Sequence, residues 1–88
     1  MIRIETTQIK NYEFSEVARD GVKIGNVFQS AGRGKFKAGI VVDKIDIYVE
    51  AFGFADTKTE AVKAAILKGH YATGLDEFSE MMTEEIVE

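Results

Sequence analysis

The most constraining stretch runs from Gly53 to Ile66: Gly-Phe-Ala-Asp-Thr-Lys-Thr-Glu-Ala-Val-Lys-Ala-Ala-Ile. It joins an apolar alternating run to the strongest helical pattern in the chain. Thr57 and Glu60 stand at capping-box spacing: the threonine hydroxyl accepts from the Glu60 amide, and the glutamate reaches back to the cap. Ala61, Val62, Ala65 and Ile66 then share one helical face. The two alanines let a helix backbone lie close to a sheet. A sheet must therefore precede this helix, and the helix must cover it.

The upstream residues supply that sheet. Ile45, Ile47, Val49 and Ala51 alternate with Asp46, Tyr48, Glu50 and Phe52, the cleanest strand pattern in the chain. Before it, Phe36, Ala38, Ile40 and Val42 share a face, and Asp43-Lys44 reads as the turn between the two strands. Residues 1–9 alternate moderately, with Asn11 as a breaker. Asp20-Gly21 is the strongest turn signal and predicts a hairpin. Val22, Ile24 and then Val27 or Phe28 imply a register change near Gly25-Asn26, either a bulge or a second tight turn. Lys68-Gly69 predicts the end of the helix. Ala64, Leu67 and Tyr71 form a second apolar element on it.

The fold class this predicts is α+β. An antiparallel sheet of three to five strands is covered by one helix, and a short acidic C-terminal helix follows. Residues 1–88 make a single small domain, with residues 73–88 an acidic amphipathic segment. Leu75, Phe78, Met82 and Ile86, with Met81 beside them, give that segment an apolar face that folds back on the body or docks on a partner, folding back being favoured because so short a helix is marginal alone in water. The expected core is Ile24, Phe36, Ala38, Ile40, Val42, Ile45, Ile47, Val49, Ala61, Val62, Ala65 and Ile66. Truncating Ile47 to alanine would then cost about 2–5 kcal/mol. Strand 1–9 is expected at an edge, where it would serve a homodimer.

Composition removes several function classes. With no cysteine there is no disulfide scaffold, thiol chemistry or thiolate metal site. No apolar run approaches the roughly 20 residues of a membrane span, and Arg3 and Glu5 break any signal-peptide pattern. A cytoplasmic location without membrane association is the expectation. Residues 76–88 hold six acidic residues and no basic one, which leaves the rest of the chain at +2 against a net charge of −4. Such a tail repels nucleic acid and is suited either to a basic protein surface or to a solvated helix face that aids solubility.

The candidate sites are few. Gly32-Arg33-Gly34-Lys35 lacks the spacing of a phosphate-binding loop. Arg33, Lys35 and Lys37, with Lys58 and Lys63, are the candidates for phosphate contact. His70 is the only histidine and has no second His or Cys for a triad or a zinc site. It reads as a capping or surface residue. Asp43, Asp46 and Asp56 are explained by turn and cap chemistry. No enzyme activity, cofactor or metal is expected. Tyr48 and Phe52 share a strand face with Asp46 and Glu50, the wrong charge for a nucleic-acid platform and suited to protein contact or to packing under the C-terminal helix. Asp76, Glu77, Glu80, Glu84 and Glu85 are the other protein-contact candidates.

The order of residues 35–42, residues 45–52 and a helix opening at Thr57-Lys58-Thr59-Glu60-Ala61 resembles the second half of double-stranded-RNA-binding domains. In that resemblance Lys58 and Lys63 match lysines that contact phosphates, and Thr59-Glu60 replaces the family's basic pair. Residues 56–61 are similar to the strand-to-helix passage of HicB-type antitoxins. The short, acidic, cysteine-free profile resembles small phage and mobile-element accessory proteins, among them anti-CRISPR inhibitors. The leading expectation is a non-catalytic protein-binding module, an inhibitor or adaptor of an intracellular nucleic-acid-processing machine. The alternatives are direct nucleic-acid binding and a structural or assembly subunit.

Overall fold

The computed structural model describes residues 1–32 and 34–88. The elements in chain order are β1 (Ile2–Ile9), β2 (Tyr12–Arg19), β3 (Val22–Gln29), β4 (Phe36–Lys44), β5 (Ile47–Ala55), α1 (Lys58–Thr73), α2 (Asp76–Met82) and β6 (Ile86–Val87). The class is α+β, as the sequence predicts, but the sheet has six strands in the order β5-β4-β3-β2-β1-β6. Its first five strands form an antiparallel meander. The sixth is the tail: Ile86, predicted to extend a helix face, pairs in parallel beside Ile2. Strand β6 thus covers β1 only at Ile2 and Arg3, and over residues 4–9 β1 keeps the edge position that the sequence predicts.

The β2–β3 hairpin turns at Asp20-Gly21, both with positive φ (51° and 82°), as a tight two-residue turn demands. Its register shifts by one residue between Val17 and Ala18. That bulge pairs Val17 with Gly25 and Ser15 with Val27. Without it, Asn26 would point into the core and Val27 out of it, because a one-residue slip exchanges the faces of a strand. The register change near Gly25-Asn26 is thus a bulge rather than a second turn.

The β4–β5 turn falls two residues later than Asp43-Lys44 predicts. Lys44 pairs with Ile47, so Ile45 and Asp46 are the turn residues. Ile45 is consequently fully exposed, and Ile47, beside the turn, is 37% exposed. Neither belongs to the core. Ile24, Phe36 and Val49 pack partly buried against it, and the other expected core residues are buried. Ile2, Ile4, Val17, Val27, Ala51, Phe78 and Met81 complete the core.

Thr57 caps α1, its hydroxyl accepting from the Glu60 amide at 3.1 Å. The helix runs past Gly69 to Thr73 and ends at Gly74, which has φ 68°. Gly69 is a contact glycine instead of a stop. A Cβ there would lie 2.4 Å from the Phe78 ring of α2. Gly53 does the same for the sheet, since its Cβ would fall 2.2 Å from the Ala65 nitrogen. These two absent side chains let α1 rest on β5 and α2 rest on α1. The C-terminal segment folds back, as its apolar face predicts, through Phe78 and Met81, while Met82 stays exposed.

Candidate functional site

Both helices lie on one face of the sheet. Among the described residues nothing packs across the other. Alternation and the register place Ile9, Tyr12, Phe14, Phe28, Phe52, Phe54 and Tyr48 on that open face. The bulge in β3 brings Phe28 onto it, in line with Phe14 on β2 and Lys37 on β4. Tyr48 is 66% exposed, Tyr12 61% and Phe28 48%. The Tyr12 and Phe14 rings meet at 5.9 Å. Phe52 and Phe54 are half-buried, and the Lys37 ammonium sits 4.4 Å from the Phe52 centroid and 5.8 Å from that of Phe54. The lysine stem covers the rings while its charge stays at the surface.

Arg3, Glu5, Glu16, Lys23, Lys37, Asp43 and Glu50 share this face, with Glu16 and Lys23 paired at 3.0 Å. The aromatic patch is thus set in mixed charge. Of the sequence-level candidates, Tyr48 and Phe52 belong to it. They do not lie under the C-terminal helix, which rests on α1. Tyr12, Phe14 and Phe28 are additions. Tyr12 and Phe14 show as an alternating pair in the sequence, but Phe28 joins them only through the bulge.

The phosphate-contact candidates do not converge. Arg33 lies outside the described residues. Lys35 is exposed in the β3–β4 loop, and Lys37 stands on the open face. Lys58 lies on the helix side, only 15% exposed, with Glu13 at 3.3 Å, the Thr6 hydroxyl at 3.0 Å and the Phe36 ring at 5.8 Å. Lys63 pairs with Glu60 at 3.6 Å on the outer side of α1.

The acidic candidates are largely engaged within the chain. Glu77 pairs with Lys44 at 2.8 Å. Glu80 and Glu84 bind Arg19 at 3.3 and 2.6 Å, and Glu84 also takes the N-terminal ammonium at 2.8 Å. Hydrogen bonding from that ammonium, then from Arg19, holds the Glu84 carboxyl below its ordinary value of 4.5. Lys44 does the same for Glu77. Asp76 and Glu85 are exposed. His70 lies in the last turn of α1 with Nδ1 3.0 Å from the Ser79 hydroxyl, tying the two helices together. No group of three or more His, Asp or Glu side chains among the described residues is arranged to hold a metal ion.

No helix among the described residues is long and apolar enough to cross a membrane. No family model, curated protein or solved structure matches the chain.

Proposed function

We propose that this chain is a non-catalytic protein-binding module whose contact surface is the open face of the sheet. The observation that carries the reading is the aromatic patch left uncovered while both helices serve the opposite face. Exposed aromatics with few rotatable bonds are the side chains that anchor protein interfaces, with a polar rim around them. Here Tyr12, Phe28, Phe52 and Tyr48 are the anchors, and Glu5, Glu16, Lys23 and Glu50 the rim. The acidic segment has a lesser part, because Glu77, Glu80 and Glu84 already have cations in their own chain. An inhibitor or adaptor role would be exercised through this sheet face.

The second reading, nucleic-acid binding, draws support from Lys37 beside the Phe52 and Phe54 rings, the composition of a stacking platform. Four carboxylates on the same face, those of Glu5, Glu16, Asp43 and Glu50, weigh against it. One experiment addresses both. The chain is immobilised and a lysate of its source organism passed over it, beside a Tyr12→Ser/Phe28→Ser variant whose melting is unchanged. The proposal expects a protein retained by the parent and lost by the variant. Equal retention by both would refute the open face as the contact surface. Retention of single-stranded RNA that falls steeply with salt and disappears in Lys37→Ala would replace the first reading by the second.

A further inference from the structure

The two edges of the sheet are built differently. On one side β6 pairs with Ile2 and Arg3, and Glu84, just before it, is held by Arg19 and the N-terminal ammonium. On the other side β5 is the terminal strand, and no strand pairs its outer edge among the described residues. Natural edges are blunted by proline, lysine, bulges or short length. Strand β5 has none of these: it has nine residues, Ile-Tyr-Val-Glu-Ala-Phe-Gly-Phe-Ala, an unbroken register with β4, and Glu50 as its only charge.

We infer that two copies of this chain pair antiparallel through β5, with the two-fold axis at Ala51, into one continuous sheet. The hairpin fixes which groups are available. Lys44 and Ile47 close a two-residue turn, so residues 47, 49, 51, 53 and 55 bond to β4. Residues 48, 50 and 52 turn their N–H and C=O groups outward. Symmetric pairing with side chains on matching faces puts the axis at a residue. An axis at Glu50 sets two carboxylates opposite each other, which is destabilising. An axis at Phe52 leaves Ile47 and Tyr48 without strand partners. The axis at Ala51 pairs all nine residues.

That register is also complementary in chemistry. Tyr48 faces Phe54 of the second copy, an aromatic cross-strand pair made twice. Glu50 faces Phe52 of the second copy, whose ring holds the Lys37 ammonium at 4.4 Å. Glu50 takes part in none of the ion pairs among the described residues, and the second copy's Lys37 adds a cation beside it. The helices agree with this arrangement. Phe78 of α2 occupies the Gly69 side of α1, whereas Ala64 and Tyr71, seven residues apart, lie on the flank over Gly53 of β5. Tyr71 is exposed there. Pairing through β5 brings the two α1 helices side by side, each with that flank toward the axis.

The test uses the full chain and does not depend on the open-face reading. Sedimentation equilibrium from low to high micromolar concentration is expected to approach twice 9.8 kDa. Tyr48→Lys, with unchanged circular dichroism, is expected to weaken association by about tenfold or more. The chain has no cysteine, so single cysteines report the register under mild oxidation. Ala51→Cys should cross-link, because opposed Cα atoms at such a position lie about 4.5 Å apart. Val49→Cys, about 13 Å from its own copy in this register, should not. A monomer throughout would overturn the inference. So would a dimer that Tyr48→Lys leaves intact, or one in which Val49→Cys links as readily as Ala51→Cys. None of these results bears on the lysate experiment.

Discussion

Two glycines decide how closely the layers of this molecule approach, and their replacement separates two kinds of obstacle. At Gly69 an added methyl meets the Phe78 ring, which is completely buried. Overpacking of that kind costs about 1–3 kcal/mol. The gain in helix propensity from Gly to Ala, about 1 kcal/mol, offsets part of it. At Gly53 the methyl meets backbone, the Ala65 nitrogen at 2.2 Å and the Ala61 oxygen at 2.5 Å. Only a shift of α1 as a whole relieves that contact. We expect Gly53→Ala to destabilise the chain by at least about 3 kcal/mol, the upper end of the overpacking range, and Gly69→Ala by clearly less. Urea unfolding of both variants checks the order; equal losses would mean that α1 shifts freely on the sheet. The sequence discloses Thr57, Ala61 and Ala65 because capping and helical period are local signals. The role of Gly69 is not local. It depends on a phenylalanine nine residues later, so a glycine after a lysine reads as a helix stop. Ile47 shows the same limit: its parity on the strand is correct, but a turn displaced by two residues leaves it at the rim. Ile47→Ala should therefore cost less than the 2–5 kcal/mol typical of a truncated core residue.

At the level of elements, α2 is a seven-residue helix that would not persist alone in water. Phe78 and Met81 anchor it, and ion pairs fix its direction across the sheet. Those pairs give stability a dependence on pH with a definite sign. The carboxyls of Glu77 and Glu84 lie below 4.5 in the folded chain. Their contribution is complete above 4.5 and is lost as the pH falls through the lowered values. The N-terminal ammonium is raised above 8.0, chiefly by hydrogen bonds to Glu84 and then Asp20. Its contribution is complete below 8.0 and is lost as the pH rises through the raised value. Melting temperature should then hold a plateau between these limits and decline on both sides. In Glu84→Gln both slopes should flatten; wild-type slopes in that variant would show that the Glu84 contacts do not persist in solution. Changing Glu77, Glu80, Glu84 and Glu85 together to glutamine should lower the melting temperature, which makes that set a poor probe of binding. Glu85→Gln combined with Asp76→Asn, at two exposed positions, isolates the exposed acidic charge. The segregation of six acids in the last thirteen residues is plain in the sequence. Their cations, Arg19, Lys44 and the N-terminus, come from distant parts of the chain and become visible only in the fold.

Among the described residues the molecule is a sheet with one covered face and one open face, an edge that β6 covers at Ile2 and Arg3, and an edge at β5 that no strand pairs. The hairpins and the covering helix could be read from turn residues and apolar periods. The guard at the β1 edge could not, because two residues of β6 are too short for a period, and Ile86 also fits a helical repeat. Yet this short strand has a defined task. The Ile2 amide donates to the Glu85 carbonyl at 2.9 Å, and Ile2 is completely buried. Deleting residues 83–88 would leave that donor and the start of β1 unpaired, and would remove the carboxylate that Arg19 and the N-terminal ammonium share. An exposed ladder without proline invites another chain, here on the side opposite β5. The truncated chain should therefore melt at a lower temperature and form larger species as concentration rises, since each copy would lose the strand that covers β1 at Ile2 and Arg3. Sedimentation velocity of the two chains at matched concentrations separates the cases. Open-ended growth in the truncated chain, against a closed assembly in the full one, is the expected result. Identical profiles with identical melting would mean that β6 neither guards the edge nor steadies the fold.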